Sequence, residues 1–164
     1  MAATLLPFFQ GLQHSYIGET IRHSAALIAT LEIVHLIGLA LLLGTVLMVD
    51  LTLLGHGIGL QPASLMARDL NRWTLTGLAI LLVSGPMIFM SEAVKCYHSP
   101  AFWIKMALLV AAILFYFTVH RRVVLASPPV ARSPARRTAL VSLALWTGVA
   151  LAGKAIAILA DLNS

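Results

Sequence analysis

Charge is what this chain lacks. Of its 164 residues only 10% are Asp, Glu, Lys or Arg, against about a quarter in an ordinary soluble domain. Acidic side chains are the scarcest, 6 beside 11 basic ones. With 60% apolar residues and a mean hydropathy of +0.94, too few polar groups remain to coat a water-facing globule. That argues against a soluble enzyme, a nucleic-acid-binding domain and a disordered segment. Cysteine is nearly missing too. Cys96 alone can close no intrachain disulfide and builds no thiolate metal site.

What is present is apolar and continuous. Four stretches, about 25–54, 73–94, 101–120 and 139–160, are long enough to cross about 30 Å of hydrocarbon, which takes roughly 20 helical residues. They do not alternate, which argues against membrane strands, and an all-α, integral membrane four-helix bundle is expected. The first stretch exceeds what a bilayer needs and should tilt or protrude. The leader, residues 1–24, has no basic start, and its apolar run Leu5–Phe9 is too short for a secretory signal. Leu5, Phe8, Phe9, Leu12, Tyr16 and Ile17 recur at helical spacing, which predicts a short interfacial helix ahead of a bundle spanning residues 25–164.

Basic residues orient the bundle. The two loops on one side carry Arg68, Arg72, Arg121, Arg122, Arg132, Arg136 and Arg137, whereas the opposite side carries Arg22 and Lys95. The arginine side should face the cytoplasm and both termini the outer side of a bacterial inner membrane. This accounts for the arginines without nucleic acid.

Ionisable groups inside a span are costly and usually mark a site or a structural pair. By helical rise, Glu32 lies roughly 10 Å and His35 roughly 15 Å from the outer end of span one, with Lys105 roughly 6 Å and Lys154 roughly 10 Å deep in theirs. Glu92 sits near the outer end of span two. A single polar cluster in the outer half is expected. Glu32 and His35 are three residues apart and should share a helix face. Gly38, one turn further, leaves room for a flat ring or for a closely packed helix.

At the inner end, Asp50 is expected to pair with Arg72 or Arg121, and His120 to sit at the headgroup boundary as a snorkelling side chain or a ligand. His35 and His120 are the candidate metal ligands. They differ by roughly 14 Å in depth and so should not share one metal. His56 and His120 could form a second inner site. On the outer surface His14, His23 and His98 could gather around copper or zinc. A haem on His35 would take Met87, Met90, a lysine, water or nothing as its sixth ligand. The lysines suit its propionates or another anion.

The order of motifs resembles a known group. Span one reads Glu32-Ile-Val-His35-Leu-Ile-Gly38, and span two holds Trp73-Thr-Leu-Thr-Gly77 and Val83-Ser84-Gly85. Span three opens Phe102-Trp103-Ile104-Lys105 and closes His120-Arg121-Arg122. This is similar to the small bacterial membrane proteins around the copper-resistance D type and the membrane-bound protoporphyrinogen oxidase type. The resemblance implies a helical bundle and, for the oxidase type, a b-type haem held by the span-one histidine with a functional span-three lysine. Those roles fall on His35 and Lys105. Where the oxidase type has Trp-x-x-Gly after its histidine, this chain has Leu-Ala-Leu-Leu-Leu-Gly44, which sets porphyrinogen oxidation apart from haem binding.

The leading expectation is a membrane haem b protein with His35 as axial ligand, Glu32 beside it, Lys105 and Lys154 at the propionates, and Met87 as a sixth-ligand candidate. It would act as a membrane oxidoreductase moving single electrons between a quinone and an outer-side redox protein. The alternatives are a cofactor-free proton or copper-ion transporter, and a structural subunit joined through the small-residue rows Ala40/Gly44 and Gly148/Ala152, for which homo-oligomerisation is one expectation.

Overall fold

The computed structural model describes residues 2–56 and 61–162, all of whose regular structure is helical; the expected domain limits at Met1 and at residues 163–164 lie outside them. The order is α1 (Ala2–Gln13), α2 (Tyr16–Arg22), α3 (Ala25–Leu54), α4 (Ala63–Ser91), α5 (Ala93–His98), α6 (Pro100–Phe115), a π turn (Tyr116–His120), α7 (Arg121–Val124) and α8 (Arg132–Leu162). Among the described residues, four helical stretches are long and apolar enough to cross a membrane: Ala25–Leu54, Ala63–Ser91, Pro100–Val124 and Arg132–Ile156. The chain is a multi-pass membrane protein built as a helical bundle.

The spans start and stop where local chemistry directs. Ser24 caps α3 by accepting from the Leu27 amide at 3.4 Å, and Gly55 ends it in the left-handed region at φ 86°, which glycine adopts without strain. Helix α4 begins ten residues ahead of the expected 73 and α8 seven ahead of the expected 139. Hydropathy marks where the lipid begins, whereas a helix continues into its polar turns, so Arg68, Arg72, Arg132, Arg136 and Arg137 lie on helix ends rather than in loops.

Helix α3 packs most extensively on α4, α6 on α8, and α3 also on α8. Inside a bilayer apolar burial gains little between helices, so close backbone approach and polar contacts decide the packing. Gly38 and Gly77 make that approach: a Cβ on Gly77 would stand 2.7 Å from the Leu42 amide nitrogen and 2.9 Å from the Gly38 carbonyl oxygen. Of the two uses expected for Gly38, the structure takes the close packing, and its free side is filled by Ile80. Around this seam Leu42, Val46, Leu78, Ala112, Tyr116, Trp146 and Val149 form the bundle core. Ile33, Ile37, Val83, Ile104, Val110 and Leu151 point outward and remain more than half exposed, as a lipid-facing belt requires.

The leader is two helices, not one. Ser15 breaks it and caps α2, accepting from the Gly18 amide at 3.2 Å. Helix α1 packs on α5 over one end of the bundle, called the capped end below. There Phe9 is buried among Phe89, Tyr97 and Trp103 at centroid distances of 5.5, 5.0 and 6.1 Å. The Gln13 side chain accepts from the Val94 amide at 2.9 Å. Cys96 lies partly buried in α5, and burial, with Glu92 adding to it, pushes its thiol up to about 11. The neutral thiol is therefore the resting form, and alkylation with a maleimide at pH 8 should run at least tenfold slower than in the unfolded chain, accelerating as pH approaches 11. A rate equal to that of the unfolded chain would mean that α5 does not stay docked.

Candidate functional site

Two polar clusters lie inside the bundle, one toward each end. The first joins α3, α4 and α6. The imidazole Nδ1 of His35 lies 2.8 Å from Ser84 Oγ, and the Ser84 hydroxyl lies 2.7 Å from the Ile80 carbonyl oxygen. A serine has one hydroxyl proton. With that proton donated to Ile80, Ser84 accepts at its other side, so a neutral imidazole carries its proton on His35 Nδ1 and keeps a lone pair on Nε2. Locking one ring nitrogen to free the other is how proteins orient metal-ligating histidines.

Glycines make the room. A Cβ on Gly85 would stand 3.4 Å from His35 Cε1, and one on Gly153 in α8 would stand 3.5 Å from Lys105 Nζ. Lys105 is partly buried and within electrostatic reach of His35. Among the described residues it has no carboxylate partner. A cation held in a span without a counter-charge suits an anionic ligand group.

Other expected members stand apart. Glu32 is exposed on α3 and makes no bond to His35. Residues three apart are offset by about 60° around a helix, enough for one to face α4 while the other faces outward. Glu92 pairs with Lys95 at 3.5 Å on the surface. Lys154 is exposed, next in sequence to the glycine that Lys105 crosses. Met87 is partly buried on α4, one turn beyond Ser84. His14 bonds Glu19 at 3.2 Å, and no three His, Cys, Asp or Glu side chains gather among the described residues.

The second cluster corrects an expectation. Asp50, fully buried, pairs with His120 rather than with Arg72 or Arg121: His120 Nε2 lies 2.7 Å from Asp50 Oδ1. The π turn is the reason. An extra residue in the turn leaves Tyr116 and His120 stacked, 5.4 Å between centroids and 22° between planes, with both rings buried. Arg72 instead lies over the Trp73 ring at 5.3 Å, and His56 is exposed beyond the end of α3. His120 is thus a buried partner, not a snorkelling side chain.

Hydroxyls continue this cluster. Tyr116 bonds Thr74, Thr74 donates to Thr45 at 2.9 Å, and Thr45 donates to the Leu41 carbonyl at 2.9 Å. Asp50 Oδ2 has no hydrogen-bond partner among the described residues. Sequence reasoning missed Ser84, Tyr116, Thr45 and Thr74 as site residues. A threonine that bonds its own helix looks identical in sequence to one that also reaches a neighbour. Only Ser84-Gly85-Pro86 carried a signal, since Pro86 removes one ladder donor from α4.

No curated protein and no solved structure matches the chain. A family model does: over residues 8–159 the chain matches DUF6644, described as a family of unknown function, and it belongs to that family.

Proposed function

We propose that this protein binds haem b against His35 and serves one-electron transfer in a bacterial inner membrane, with the capped end and both termini toward the outer side. The observation that carries the reading is the His35–Ser84 bond, which commits Nδ1 and leaves Nε2 available to a metal. The residues fit the group: a neutral imidazole for the iron, a lysine without a counter-charge for a propionate, and glycines at both positions that would otherwise add bulk. The seven arginines at the other end support the orientation.

When bound, the haem would supply a one-electron iron couple. The chain's own residues would do the rest. Ser84 orients the imidazole and raises the basicity of Nε2. Lys105 would hold one propionate inside the bundle, and Lys154 would hold the second at the surface. Met87 stands one turn away as the sixth-ligand candidate. The apolar core of Leu42, Leu78 and Ala112 excludes water from the space below. A lipid-soluble quinone and a redox protein on the outer side are the partners this arrangement suits.

Expression with ample haem, purification in detergent and an absorbance spectrum test the proposal. A Soret band is expected, abolished by His35→Ala and retained in Arg136→Gln. A colourless wild-type protein would overturn it.

The buried Asp50–His120 pair favours a second reading, a cofactor-free proton or copper-ion path. In that case metal analysis and proteoliposome flux would show transport by a colourless protein.

A further inference from the structure

The arginine-bearing end holds a cavity of about 170 Å³, lined by α3, α4, the π turn and α7. Its polar lining is rich in hydrogen-bond donors: Arg68 and Asn71 from α4, and Arg121 from α7. Val46, Val49 and Val124 form an apolar wall beside them. His120 closes the back, with Asp50 behind it. Asp50 is fully buried behind the ring and bonded to His120, not to either arginine. Neither Arg68 nor Arg121 forms an ion pair with a carboxylate among the described residues.

We propose that this cavity binds the phosphate group of an anionic lipid. Two arginines line one space, and guanidinium forks match phosphate oxygens in pairs. The valine wall gives the reason to choose a lipid over free phosphate, because inorganic phosphate would gain nothing from it. Basic pockets between spans on the cytoplasmic side, where anionic lipids are enriched, are where such headgroups bind. The site lies at the opposite end from His35 and does not depend on whether haem binds there.

The test uses the full-length protein in detergent, with phosphatidylglycerol, phosphatidylcholine and inorganic phosphate as separate probes, read by native mass spectrometry and thermal unfolding. Phosphatidylglycerol should bind at least tenfold tighter than phosphatidylcholine and raise the unfolding temperature, and inorganic phosphate should bind at least tenfold more weakly than the lipid. Arg68→Gln with Arg121→Gln should lose at least tenfold in affinity. Arg136→Gln with Arg137→Gln removes the same charge from exposed positions of α8 at the same end and should leave binding intact. The single change Arg68→Gln, at an exposed position, keeps the test valid should the double variant fold poorly. Equal losses in the two double variants would reduce the effect to surface charge and overturn the proposal. Inorganic phosphate binding as tightly as the lipid, or phosphatidylcholine matching phosphatidylglycerol, would overturn it as well.

Discussion

His120→Ala should destabilise the folded bundle by about 3–5 kcal/mol, read as the loss of unfolding free energy in a mixed-micelle denaturant titration. The size follows from burial. Asp50 is 0% exposed and His120 3%, and a bond of 2.7 Å joins them. Removing the imidazole leaves a carboxylate with both oxygens unsatisfied, since Oδ2 already has no partner. The variant must bury that charge alone, take up a proton, or open the π turn to water. Each route is costly in a low-dielectric interior. Replacing both partners with apolar residues of similar volume, Asp50→Leu with His120→Phe, should recover most of the loss, because no charge is then left behind. A cost below about 1 kcal/mol for the single variant would mean that the pair is not buried as described.

Gly77→Ala should weaken the α3–α4 seam by about 1–3 kcal/mol. The added methyl would meet backbone: the Leu42 nitrogen at 2.7 Å and the Gly38 oxygen at 2.9 Å. Backbone cannot swing aside as a side chain can, so the two helices must separate along their most extensive contact. Gly38→Ala should cost a similar amount, because its methyl would meet Ile80 Cγ2 at 2.7 Å, Ile80 Cβ at 3.0 Å and the Gly77 carbonyl oxygen at 3.2 Å, and a β-branched side chain in a helix has little rotamer freedom to yield. Gly44→Ala is the control. Nothing lies within 4 Å of its added methyl, and the better helix propensity of alanine should leave stability unchanged or raise it by up to about 1 kcal/mol. Unfolding free energies that fall equally for Gly44 and Gly77 would refute the packing.

Much of the architecture was legible without coordinates. Apolar runs near twenty residues can satisfy their backbone in lipid only as helices, so the number and rough position of the spans follow from hydropathy. Charge, excluded from lipid by its cost, had to collect at span ends or inside the bundle. His35 and Lys105 were picked out on that ground, and the fold does bring them near each other. Glu32 and Lys154, chosen by the same depth argument, turn outward. Depth is a one-dimensional coordinate, fixed by rise per residue. Which way a side chain faces depends on rotation about the helix axis, and near-continuous apolar runs such as α3 carry little periodicity from which to read it.

The partners of the buried polar groups escape sequence for a related reason. Ser84 for His35, and His120 for Asp50, lie 49 and 70 residues away along the chain. Nothing local distinguishes a histidine that snorkels beside two arginines from one that a π turn carries inward. Composition and hydropathy, which sum over residues independently, were sufficient for a membrane bundle of four spans and for the few positions where charge enters it. Hydrogen-bond pairing depends on helix rotation, on the close approach at Gly38 and Gly77, and on one irregular turn. Those arise only when the helices pack, because a polar group in hydrocarbon takes whichever partner the packing brings within reach.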